Sequence, residues 1–144
     1  MICLLVMALG LSTGLAFADG GKHKGEPLVD GEVSYTDEVD GVKAVFIVEQ
    51  ITKIQRKGKI LFECDIKARL YGADGAQVLT MADVAMRYTS GHEKFGQVYA
   101  LIPDPDDNSY RKKVFLHEDG EQHFLLIVID QTGSKRKFHF HHSF

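Results

Sequence analysis

At 144 residues the chain has the length of one domain. Its 17 Lys+Arg against 20 Asp+Glu leave a formal net charge of -3, so no basic face is on offer for nucleic acid. Two cysteines, Cys3 and Cys64, and no Trp complete a composition that excludes a disulfide framework.

In chain order the first feature is an uncharged apolar stretch, residues 1–18, ending in Ala16-Phe17-Ala18. A sharply polar segment from Asp19 to Glu26 follows. An apolar run closing on small-x-small is the pattern of a secretory signal with its cleavage site. The usual cationic start is missing, which keeps an uncleaved membrane anchor as the rival. Such a span wants ~20 apolar residues, and Gly10, Ser12, Thr13 and Gly14 interrupt this one, so cleavage is expected. No Cys stands at the cleavage point to take a lipid. The expectation is a secreted or periplasmic protein with residues 1–18 as signal peptide, 19–31 as a flexible leader and 32–144 as the folded domain. All 17 Lys+Arg and all 20 Asp+Glu fall after residue 18. A mature chain of this size hides roughly two thirds of its unfolded surface, enough for a core without staples. Cys64 is then the sole thiol, no internal disulfide can form, and stability must come from packing.

Strand and turn signals alternate through the rest. Residues 42–54 are rich in Val, Ile and Phe, and Arg56-Lys57-Gly58 turns them. In residues 59–71, Ile60, Phe62, Cys64, Ile66, Ala68 and Leu70 alternate with polar neighbours. Period two places Cys64 on the apolar face, where it acts as a small hydrophobe and not as a reactive thiol. A turn at Gly72-Ala73-Asp74-Gly75 follows. Residues 77–89 read as a strand or strand pair, with a helix as rival, and Ser90-Gly91 ends them. A strand over 95–102, a Pro103–Asn108 loop, and strands over 110–117, 122–130 and 135–142 complete the chain. Phe124, Leu126 and Val128 face one way while His123, Leu125, Ile127 and Ile129 face the other, the pattern of a central strand. About seven strands with no confident helix predict an all-β, immunoglobulin-like antiparallel β-sandwich.

Histidine is the one enrichment: five of the seven lie between His117 and His142. In His139-Phe140-His141 the two imidazoles share a strand face, and neutral imidazole suits Zn, Cu, Ni or Fe. Two ligands make a weak site, so His117 or His92 is the expected third. The competing reading is a cluster of wet-face histidines opposite the apolar Phe138, Phe140 and Phe144.

Met81, Met86 and His92 offer a copper-carrier ligand set, yet the odd spacing of the two Met residues fits core filling better. Asp104, Asp106, Asp107 and Asn108 offer oxygens suited to Ca²⁺, but without EF-hand spacing they read as a turn-forming acidic loop. No nucleophile elbow, His-Glu-x-x-His or phosphate-cradling loop is present, and no catalytic activity is expected.

Tyr71-Gly72-Ala73-Asp74-Gly75-Ala76-Gln77-Val78, Ala82-Asp83-Val84 and Gly120-Glu121-Gln122-His123-Phe124 leading into residues 125–130 resemble the YtkA-like and FixH-like group of small exported immunoglobulin-like domains. The resemblance covers residues 70–140, about half the chain. It implies an envelope accessory role, in some members linked to copper handling. No clear Met-x-x-His match is present, so no ligand is carried over. The functional expectation is a non-catalytic envelope binding protein that takes Cu or Zn through His139, His141 and a third histidine. Its rival is a metal-free interaction module that pairs with an envelope protein through an exposed edge strand.

Overall fold

The computed structural model describes residues 26–27, 31–75, 79–89, 96–118 and 120–144. The expected signal peptide, most of the expected leader and His92 lie outside the described residues.

Ten strands are present among them: β1 (Glu26–Pro27), β2 (Glu32–Val39), β3 (Val42–Arg56), β4 (Lys59–Gly72), β5 (Asp83–Thr89), β6 (Tyr99–Ala100), β7 (Ile102–Asp104), β8 (Ser109–His117), β9 (Gln122–Ile129) and β10 (Lys135–His142). They form two antiparallel sheets, ordered β1-β2-β3-β4-β8-β7 and β10-β9-β5-β6. The chain is an all-β sandwich. It carries three more strands than the seven expected: β1, inside the expected leader, and β2 were not foreseen, and the strand expected over 95–102 is replaced by the short β6 and by β7, which runs into the expected Pro103–Asn108 loop. Among the described residues of 77–89 no helix is present, and 83–89 form β5, paired with β9 from Asp83↔Ile129 to Thr89↔His123.

Two-residue turns set the first sheet. Asp40 (φ 48°) and Gly41 (φ 74°) join β2 to β3, and Lys57 (φ 49°) and Gly58 (φ 75°) join β3 to β4. Positive φ at both central residues is what a type I′ hairpin needs, and its twist matches the strands it connects. The long β3–β4 ladder is broken once, between Gln50 and Thr52, where Ile51 bulges out half-exposed.

The inward faces obey period two. Ala44, Phe46 and Val48 of β3 and Cys64, Ile66, Ala68 and Leu70 of β4 meet Phe124, Leu126 and Val128 of β9 and Phe138 and Phe140 of β10, all buried. Phe46 stacks on Phe140 at 4.6 Å and leans on Phe124 at 5.0 Å. Aromatic pairs at these distances add about 0.5–1.5 kcal/mol beyond the area they bury. Cys64 sits fully buried in this layer, where burial pushes its thiol up to about 12. It is held protonated and inert, as its place in the alternation predicts.

Candidate metal centre

The turn at residues 130–134 fixes the site before any histidine is considered. Asp130 Oδ1 accepts hydrogen bonds from the Thr132 amide (2.9 Å), the Thr132 hydroxyl (2.6 Å) and the Ser134 amide (3.0 Å), and Asp130 Oδ2 holds Arg136 at 2.9 Å. These bonds hold its carboxyl far below the usual range, the Thr132 hydroxyl contributing most. So pinned, β9 and β10 pair without a slip from Lys135↔Ile129 to His142↔Gln122. That register sets His141 directly opposite His123.

Alternation then sorts the side chains. Phe140, His142, Gln122 and Phe124 point into the sandwich and are buried. His123 and His141 project from the other face, their rings 4.4 Å apart and edge-on. Glu121, the residue before β9, reaches both: its Oε1 lies 3.0 Å from His141 Nδ1 and its Oε2 lies 3.5 Å from His123 Nε2. The three groups offer one ligand atom each within 4.8 Å of one another. Around a tetrahedral ion bound at ~2.0–2.1 Å, neighbouring ligand atoms stand about 3.3 Å apart. The 3.0 Å and 3.5 Å separations between Glu121 and the two imidazoles already bracket that spacing. The exposure is graded, with His141 24%, His123 37% and Glu121 54% accessible, so one side of the cluster stays open to solvent.

Of the four histidines expected to act, the structure brings one, His141, into a three-group cluster. His139 shares its face but stands opposite Leu125 and is exposed. Residues i and i+2 on one strand are about 6.6 Å apart, whereas directly opposed residues approach to about 5 Å between Cβ atoms. The cross-strand partner His123 therefore replaces His139. His117 belongs to β8 in the other sheet, opposite Leu61, and joins no such cluster among the described residues. His92 lies outside them. Sequence reasoning passed over His123 and Glu121, although the turn it recognised carries the signal: folding the chain about Thr132 sets 123 against 141.

The alternative ligand sets are otherwise engaged. Met81 and Met86 are buried in the core. Asp104 Oδ2 binds Arg111 at 2.9 Å, and Asp107 divides its oxygens between Arg69 (2.6 Å) and Ser109 (2.9 Å). The hydrogen bond from Arg111 lowers the Asp104 carboxyl. These acids serve the loop before β8.

No known protein family, no curated protein and no solved structure matches this chain.

Proposed function

We propose that the chain is an exported, non-catalytic binding protein of the cell envelope that holds one Zn²⁺ or Cu²⁺ ion through Glu121, His123 and His141. The observation that carries the reading is the geometry of the triad: two imidazoles in direct cross-strand register, with one carboxylate reaching both. Two nitrogens and an oxygen suit these borderline divalent ions, and thioether or thiolate, which Cu(I) prefers, is absent from the cluster. Three protein ligands on a partly open face leave a coordination position for water or an incoming ligand, which suits delivery or exchange. Export rests on the uncharged residues 1–18 and their Ala16-Phe17-Ala18 ending. The resemblance of residues 70–140 to exported immunoglobulin-like accessory domains agrees with that placement.

The test is metal content. The full chain, untagged and purified without added metal, is assayed by elemental mass spectrometry and titrated with Zn²⁺ and Cu²⁺. One equivalent is expected, lost in His123→Ala/His141→Ala and kept in His139→Ala. A chain that ignores both ions, or binding that survives the double change, overturns the reading.

A second reading is favoured by a separate observation. Among the described residues β10 is an edge of the second sheet, paired on one side with β9. Its outer backbone groups can accept a partner strand. An oligomer or complex indifferent to chelator is its signature, and a strict monomer in native extracts counts against it.

A further inference from the structure

We propose that the open edge of β10 takes up an extended segment of a partner protein that carries acids at alternate positions. The inference rests on the strand-pairing reading above and names the partner's chemistry. Among the described residues β10 is paired with β9 alone, so the backbone groups on its other side form an unmatched row along its eight residues. Another extended backbone fits such a row, whereas neither a lipid surface nor a nucleic acid offers alternating N–H and C=O groups.

Side chains then choose which backbone. Lys135, Lys137 and His139 project from the outer face of β10 and are exposed. On the paired side they stand opposite Ile129, Ile127 and Leu125, so β9 sets no acid against them. Arg136, between the two lysines, is by contrast held by Asp130 at 2.9 Å.

The first sheet shows what completes a strand of this kind. β8 carries Arg111 and Lys113 two residues apart on its outer face, and its neighbour β4 carries Glu63 and Asp65 at the same spacing. Arg111 pairs with Asp65, and Lys113 lies 2.9 Å from Glu63. Lys135 and Lys137 repeat that pair of cations at the edge of the second sheet, with no acid-bearing strand beside them among the described residues.

Edge lysines commonly ward off stray strands. Here they do so selectively. A second copy of β10 would set its own outer face of Lys135, Lys137, His139 and His141 against them, with no acid in it, and like charges directly opposite are destabilising. An acid-x-acid segment turns the same lysines from a barrier into an attraction.

The full chain, ¹⁵N-labelled and kept in chelator so that the triad holds no ion, is titrated at low salt with two peptides of β10's own length, eight residues. One alternates glutamate with threonine and the other glutamine with threonine. The acidic peptide is expected to shift the amides of residues 135–142 and slow their exchange. It is expected to bind about fivefold more tightly than the glutamine peptide, the worth of two opposite-charge cross-strand pairs. Lys135→Gln/Lys137→Gln, two exposed changes that leave the core alone, brings that ratio to about one. Lys57→Gln/Lys59→Gln removes two likewise exposed lysines from the β3–β4 turn and leaves the ratio unchanged. Equal binding of the two peptides at the β10 amides overturns the acidic partner while strand addition at this edge stands. Binding of neither, or shifts confined to other strands, overturns the proposal and takes the strand-pairing reading with it. A ratio that falls as far in Lys57→Gln/Lys59→Gln reduces the preference to net charge and overturns the proposal as well. So does a peptide-free chain that dimerises through β10, which makes a second copy the occupant.

Discussion

The outer faces of the two sheets use charge differently. On the first, five acids have fixed cations. Arg111 bridges Asp65 and Asp104, Lys67 lies 2.9 Å from Glu49, Lys113 lies 2.9 Å from Glu63, and Arg69 holds Asp107. On the second, Glu121 stands between two imidazoles. Lysine and arginine stay protonated at any physiological pH, so their pairs are permanent and serve cross-strand register. Imidazole can give up its proton, which turns an acid–base pair into an acid–ligand pair when a metal arrives. The same fold thus carries a closed electrostatic network on one side and an exchangeable one on the other.

The comparison can be broken or sharpened by experiment. The largest stability effect belongs to neither outer face but to His142 between them. Burial lowers its pKa from 6.5 to about 4. The unfolded chain takes up that proton and the folded chain resists it. His142 therefore contributes its full stabilisation above pH 6.5, and this is lost as pH falls towards 4 and changes no further below. Denaturant unfolding in chelator should lose roughly 2–3 kcal/mol across that window. In Tyr35→Phe/His142→Phe, which removes the imidazole together with the hydroxyl 2.6 Å from its Nδ1, that part of the slope should vanish; an unchanged slope would assign it to other groups.

On the first sheet, Arg111→Met leaves Asp65, whose side chain is 11% exposed, without its strongest partner. A cost of about 1–2 kcal/mol is expected, less than a fully buried pair would show because solvent reaches the guanidinium. Zinc affinity should not move. On the second sheet the pattern inverts. Glu121→Gln should lower metal affinity about tenfold, the effect of losing a weak ligand or its orienting charge, while the unfolding midpoint of the metal-free protein stays within error of the parent. If Arg111→Met weakens metal binding as much as Glu121→Gln does, the two faces are coupled and the division fails. The smallest effect is expected for Lys113→Met. Its side chain is 58% exposed, and although Glu63 is only 21% exposed solvent still reaches the pair, so the melting temperature should change little.

Much of this architecture was written in local patterns. Cys64, Ile66, Ala68 and Leu70 alternate with charged residues, so their burial followed from period two. Lys57-Gly58 marked its own turn. β2 escaped because it touches the core mainly through Tyr35, while Thr36, Asp37 and Glu38 dilute its alternation. Asp40-Gly41 was nonetheless a hairpin signal waiting at its end. The site was half legible. His141 was visible as a wet-face histidine, but its partner depended on register, which lies between strands and not along one. His139 looked closer in sequence and is farther in space.

The direct opposition of His123 and His141 has a mechanical side. β10 is an edge strand, and its outer end holds His141 and His142 just before the last two residues. An ion gripped by both strands is a clasp across the open end of the hairpin. A slip of one residue would turn His141 inward and release it. Binding therefore penalises both fraying and misregistration, and amide exchange along the end of β10 should slow when zinc is added and return when it is chelated. An edge so fastened is a poorer template for a visiting strand, so metal and strand-adding partner would be rivals for the same few residues.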